Sequence, residues 1–259
     1  MKKVRTNTYS IFVSFLAAVM ILTGLFASPA QAEAASATRQ KITLASGYVS
    51  ATELYIIDSG KPGPVVMIVG GVHGNEKAGY QAAGKYSNLQ IKKGKLLVLP
   101  QANKRAVNAN RRAAVGGSDL NRSFPQSSKG NASTNIARDI YKTVKDNKVD
   151  WLMDMHEGFD YYKNPKTSSV GQTLIYYPST AMTPMARQIV NNLNKKITKS
   201  NQKFTLLKYP VKGSLTRSSA QFLKVNAFIF ETSQKQTLKT RVNQQCQAAD
   251  TLLKQLGMI

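Results

Sequence analysis

The stretch Val65-Val66-Met67-Ile68-Val69-Gly70-Gly71-Val72-His73-Gly74-Asn75-Glu76 carries the reading of the whole chain. Val65 to Val69 is an unbroken apolar run, so a strand there is covered on both faces and lies inside a sheet. Gly70-Gly71 stops it, and a helix is expected from about Glu76 through Tyr86. A buried strand handed to a helix through a glycine turn is the unit from which α/β proteins are built. His73 and Glu76 sit in that turn, and His73 is one of only two histidines among 259 residues.

Outward from this unit, strands and helices alternate. Leu54-Tyr55-Ile56-Ile57 and Lys95-Leu96-Leu97-Val98-Leu99 read as strands, the second ended by Pro100. Residues 101–130 lack periodicity and are rich in Asn, Arg, Gly and Ser, the mark of a functional or mobile loop. Asn131 to Asp146 predicts a helix, with Ile136, Ile140 and Val144 on one face. Val149 to Met153 is a strand leading to His156. Thr173 to Tyr177 is another strand. Thr183-Pro184 reads as N-cap and first position of a helix to about Thr198. Phe204 to Lys208 is strand-like, Ser218 to Lys224 a short helix, and Ala227-Phe228-Ile229-Phe230 a buried strand. Leu238, Val242, Cys246, Ala249 and Leu253 stripe a terminal helix. The alternation predicts a three-layer α/β/α sandwich, one domain over residues 41–259. His73, His156 and Glu231 each come just past a buried strand, at the edge where open α/β sheets bind ligands.

The N-terminal region has a different character. Lys2, Lys3 and Arg5 precede an uncharged, mostly apolar run from Ile11 to Ala27, and Ala30-Gln31-Ala32 is a small-residue cleavage pattern. Residues 1–32 therefore read as a secretory signal peptide, and Ala/Ser-rich residues 33–40 as a flexible leader. No later run is long and apolar enough to span a bilayer. The expected location is secreted or cell-wall associated. Cys246 is the single cysteine, so no internal disulfide is possible.

The chain carries 36 Lys+Arg against 13 Asp+Glu, a net +23 that falls to +20 without Lys2, Lys3 and Arg5. Such a charge draws polyanions, and for an exported chain an anionic cell-wall polymer is the natural partner. A solvated basic surface accounts for the charge equally well. No nucleic-acid-binding motif is present, so no nucleic-acid partner is expected.

His73 and Glu76, three apart across a glycine turn, can converge on one cation, and His156 supplies a third ligand. Three protein ligands with one position left for water describe a catalytic zinc site. Glu231 ends an apolar strand, where a carboxylate is costly to bury unless it works or pairs. It is the candidate general base. Glu157 adjoins a ligand, but neighbours on an extended segment point to opposite faces, so it should face away.

These motifs together resemble the zinc carboxypeptidase superfamily, including the succinylglutamate desuccinylase/aspartoacylase group. The resemblance runs from about Val65 to Thr232. It rests on Gly-Val-His73-Gly-Asn-Glu76, Asp119-Leu-Asn121-Arg122-Ser-Phe-Pro125, Asp-Met-His156 and Phe-Ile-Phe-Glu231-Thr. It implies a mixed central sheet, one Zn2+ held by His73, Glu76 and His156, and Asp119 holding the far ring nitrogen of His73. Asn121 and Arg122 would grip the substrate carboxylate. Glu231 would be general base, then general acid. Arg112, or its neighbour Arg111, would polarise the scissile carbonyl and stabilise the oxyanion. Peptide-cleaving members carry a tyrosine before the base much as Tyr209 stands here, 22 residues ahead of Glu231. Thr216 and Arg217 would line the pocket.

The activity expected is that of an exported zinc-dependent hydrolase, carboxypeptidase-like, cleaving an amide bond next to a substrate carboxylate, with cell-wall peptides as substrate. An N-acyl amino acid deacylase is the alternative. A non-catalytic binder of anionic wall polymer on the same fold is a third.

Overall fold

Eight strands form a single mixed sheet in the computed structural model, which describes Met1 and residues 36–259. The expected signal peptide beyond Met1 and residues 33–35 of the expected leader fall outside that description. The strands are β1 (Thr38–Leu44), β2 (Thr52–Asp58), β3 (Val65–Gly70), β4 (Lys95–Leu99), β5 (Trp151–Gly158), β6 (Thr173–Tyr176), β7 (Thr205–Lys208) and β8 (Asn226–Ser233). Their order is β1-β2-β4-β3-β5-β8-β6-β7. The central strands β4, β3, β5 and β8 run parallel, while β1, β2 and the β6–β8 pair introduce antiparallel neighbours.

Among the described residues, six α-helices complete the fold: α1 (Lys77–Gly84), α2 (Lys104–Asn108), α3 (Asn135–Asp146), α4 (Met182–Asn194), α5 (Leu215–Leu223) and α6 (Leu238–Gln255). The period-2 alternation of the strands sorts the core into two layers. Val66, Ile68, Leu96 and Val98 pack with apolar residues of α1, α4 and α6. Met67, Val69, Leu97 and Leu99 pack with Ile136, Ile140 and Val144 of α3 and with Leu215 of α5. The α/β/α sandwich is therefore present, and the strands apolar on both faces are the ones covered twice. Residues 36–259 lie within one compact unit.

The structure revises several element boundaries. Pairing begins at Thr38, so Thr38 to Gln40 are sheet rather than leader. β1 is an edge strand with mostly exposed residues, and so it shows no apolar alternation. Thr183 is not the cap of α4. The Oγ of Ser179 takes the Met182 N–H at 2.9 Å, and α4 begins at Met182. Pro184 then falls on the third helical position, where its missing N–H is still one that no carbonyl within the helix would have used. α4 also stops at Asn194 rather than near Thr198, because the Asn194 side chain bonds the main chain of Phe204 at 2.8 and 3.0 Å. α5 starts earlier than Ser218, capped by Ser214, whose Oγ accepts the Arg217 N–H at 3.0 Å. The loop over residues 101–130 hides α2, capped by Asn103, and a 3-10 turn at Leu120–Arg122.

Candidate metal centre

The turn after β3 is shaped by its glycines. Gly71 has a φ of +67°, a conformation that costs a side-chain-bearing residue and costs glycine nothing. A Cβ on Gly74 would collide with the Ala106 main chain, so only glycine lets α2 lie against this turn. The Ala102 and Asn103 N–H groups donate to the Gly70 and Gly71 carbonyls at 2.9 Å, tying the next strand's exit to it. His73 and Glu76 are thereby buried at the sheet's carboxyl edge.

His156 and Glu231 do not follow their strands. They lie within β5 and β8, as register partners in the parallel ladder. Both are buried, His156 packs against His73, and as register partners His156 and Glu231 share a face of the sheet. His73 and His156 stand edge to face with ring centroids 4.9 Å apart. The Glu76 carboxylate lies between them, Oε1 at 2.7 Å from His73 Nδ1 and Oε2 at 2.9 Å from His156 Nδ1.

Ligand atoms of His73, Glu76 and His156 all lie within 4.8 Å of one another. Two imidazoles and a carboxylate suit zinc, and three donors leave a coordination position open. The far nitrogen of each ring faces a carboxylate. His73 Nε2 is 3.0 Å from Asp119 Oδ1, the relationship the motifs implied. His156 Nε2 is 3.1 Å from Asp154 Oδ1, although the angle there is poor for a hydrogen bond. Such outer carboxylates orient metal-binding histidines and raise their basicity. Asp154 is a partner that the sequence reading missed. Its signal was its position two residues before His156 on a strand, hence on the same face.

The electrostatics follow from burial and this crowding. Burial opposes ionisation of Glu76, but the two imidazoles outweigh it and bring the carboxyl down to about 2. Burial likewise works against charge on His156, yet Asp154 and Glu76 hold its pKa well above the usual range. Glu231 goes the other way. Desolvation dominates, Glu76 and Asp154 add repulsion, and its carboxyl is pushed up to about 8. Its Oε2 has no hydrogen-bond partner among the described residues. A buried carboxylate with a raised pKa and a free oxygen is suited to moving a proton.

The arginine loop places Arg111 and Arg112 differently. Arg112 reaches the cluster, with Nη2 2.9 Å from Asp119 Oδ2 and Nη1 3.7 Å from Glu76 Oε1. Arg111 engages α2 through its main chain, donating its N–H to Ala106 O at 3.0 Å. Asn121 is buried, its N–H bound to Asp119 Oδ1 at 2.8 Å and its own Oδ1 unpartnered among the described residues. Arg122 is exposed, with Nη1 donating to the Asn121 carbonyl at 2.9 Å.

Tyr209 is not drawn to the ligands. Its exposed ring rests edge-on against Tyr177 at 5.7 Å, with a main-chain φ of +62°. The Arg217 guanidinium lies over both rings, 5.0 Å from Tyr177 and 5.4 Å from Tyr209. Thr216 is fully buried rather than lining an open pocket. Glu157 faces away from the cluster, as alternation required, and its carboxylate meets Ala78, Thr232 and Arg241.

Comparison with known proteins agrees with this geometry. Residues 62–173 match the succinylglutamate desuccinylase/aspartoacylase catalytic domain. That segment includes His73, Glu76, Arg112, Asp119, Asn121, Arg122 and His156, but not Glu231 or Tyr209. An N-alpha-acetyl-L-2,4-diaminobutyric acid deacetylase of Halomonas elongata is 34% identical over 100 residues, which are 37% of this chain and 29% of that protein. The chain thus aligns with under a third of that relative's length. The mDAP-bound form of Helicobacter pylori Csd4, a D,L-carboxypeptidase, superposes with a TM-score of 0.66 at 22% identity, covering 76% of this chain and 52% of the other. A succinylglutamate desuccinylase/aspartoacylase of Rhodobacter sphaeroides gives 0.61 at 18% identity, covering 86% and 66%. Residues 62–173, under half of the chain, are thus similar to the succinylglutamate desuccinylase/aspartoacylase catalytic domain, and the solved structures share the fold of the described sheet.

Proposed function

We propose that the protein is an exported zinc-dependent hydrolase that cleaves an amide bond next to a substrate carboxylate, in the manner of a carboxypeptidase, on cell-wall peptides. The observation that carries this reading is the buried His73–Glu76–His156 cluster with Glu231 in register beside it. Zinc held by those three residues would supply Lewis acidity and an activated water. The Glu231 carboxylate takes the proton of the attacking water and passes it to the leaving amine nitrogen. Arg112, once its guanidinium turns from Asp119 towards substrate, offers N–H donors to the developing oxyanion. Asn121 and Arg122, in the 3-10 turn that follows Asp119, grip the substrate carboxylate through their side-chain N–H groups. Export rests on the pattern of residues 1–32 and the wall setting on the net positive charge.

A second reading is supported by the matched domain and by the Halomonas deacetylase: removal of an acyl group from an N-acyl amino acid. Both substrates place a carboxylate beside the scissile amide. Turnover of the zinc-loaded protein on muropeptides, C-terminal dipeptides and N-acyl amino acids separates them. Preference for the acyl series would replace the peptidase reading, and no chelator-sensitive turnover on any would leave a wall-polymer binder.

A further inference from the structure

Glu76 occupies the N-cap position of α1, yet its side chain caps nothing there. Its carboxylate is turned to the two imidazoles. A helix start left without a side-chain acceptor has exposed N–H dipoles that need a partner. The partner comes from β5. Glu157 Oε2 accepts the Ala78 N–H at 3.0 Å, and the Glu157 main-chain N–H donates to Glu76 Oε2 at 3.0 Å. Glu157 thus performs the capping that Glu76 cannot, and also holds Glu76 by its second oxygen.

Glu157 is itself held from the terminal helix. Its Oε1 pairs with Arg241 Nη1 and accepts the Thr232 hydroxyl at 3.3 Å. Four residues on, and so on the same face of α6, buried Gln245 donates from Nε2 to the His156 carbonyl at 2.8 Å and lies 3.3 Å from that of Phe230. One face of α6 therefore grips the backbone of a candidate ligand, that of the residue before the candidate base, and the Glu157 carboxylate that caps the helix following Glu76. α6 lies outside the matched segment, which ends at residue 173.

We infer that Glu157, Arg241 and Gln245 are positioning residues of the metal centre, through which α6 sets the placement of Glu76, His156 and Glu231. This rests on the metal-centre reading above. Residues that hold metal ligands in place typically contribute about 10- to 100-fold to metal affinity.

The test is zinc titration of the metal-free protein against a competing chelator, together with the visible spectrum of the cobalt-substituted form and the melting midpoint of the metal-free form. Glu157→Gln keeps the shape and removes the charge. It should weaken zinc about 10- to 100-fold and alter the cobalt spectrum. Gln245→Leu should weaken zinc in the same direction. Arg241→Ala leaves a buried carboxylate unpaired and risks misfolding, so Arg241→Lys accompanies it and should retain most of the affinity. Native zinc affinity and an unchanged cobalt spectrum in folded Glu157→Gln and Gln245→Leu overturn the inference, even if their melting midpoints fall. Failure of the unaltered protein to bind zinc at one ion per chain overturns the metal reading, and the inference with it.

Discussion

His156 and Glu231 are direct register partners across the parallel strands β5 and β8. The pairing fixes the spacing of a candidate metal ligand and a candidate base by main-chain hydrogen bonds rather than by side-chain contact. Glu231→Gln preserves shape and register while removing the proton acceptor. Turnover should fall by about 10²- to 10⁴-fold, the usual contribution of a general base, with zinc content unchanged. Near-native turnover in a zinc-loaded variant would remove Glu231 from the mechanism.

The same residue predicts a pH profile. A general base works ionised, so activity rises as pH passes through its pKa. Burial raises that value from 4.5 to about 8 in the protein alone, and a cation between the histidines pulls it down again. The acid limb of kcat/KM should therefore fall between 4.5 and about 8. It should vanish from the residual activity of Glu231→Gln. A limb that persists there belongs to another group.

His156→Ala removes one of three metal donors, and elemental analysis should find the ion lost. Asp154→Asn keeps the donor but weakens the group behind it. Its cost should be about 10- to 100-fold in zinc affinity. Stoichiometric zinc in His156→Ala would refute the ligand set.

Arg112 and Arg111 are adjacent yet differently placed, and only Arg112 approaches Glu76. Arg112→Ala should lower kcat by about 10²- to 10³-fold, the range for losing an oxyanion donor. Arg111→Ala should leave kcat within a few-fold. Equal losses would mean that both act by charge alone.

Arg122→Ala should act on binding. A hydrogen bond to a charged group is worth about 1.5–3 kcal/mol, so kcat/KM should drop about 10- to 100-fold on substrates with a free carboxylate. Amidated analogues should be nearly unaffected. An equal loss on both series would count against the anchoring role.

The core strands were legible because β3, β4, β5 and β8 are covered on both faces and read as apolar runs. The candidate ligands His73 and His156 stood out because histidine is rare in this chain. Asp154 was quoted with His156 but not understood, since its role depends on which face of β5 meets the turn after β3. Arg241 and Gln245 gave no sequence signal. On α6 they look like surface residues, and only the packing of that helix across β5 and β8 buries them. Helix ends failed where distant side chains set them, as Asn194 does through Phe204.

The site is built from two kinds of backbone. Glu231 is laddered to β5 on one side, and on the other its carbonyl accepts the Gln172 N–H at 2.8 Å, so His156 and Glu231 belong to the middle of the sheet. Asp119, Arg112, Asn121 and Arg122 stand on a loop whose own regular structure is one short helix and one 3-10 turn. Amide hydrogens around the first pair should exchange with solvent only on global unfolding, whereas those of the loop should exchange by local opening. Sequence change in the loop can therefore move Asp119, Arg112, Asn121 and Arg122 while the ladder that carries His156 and Glu231 keeps its register.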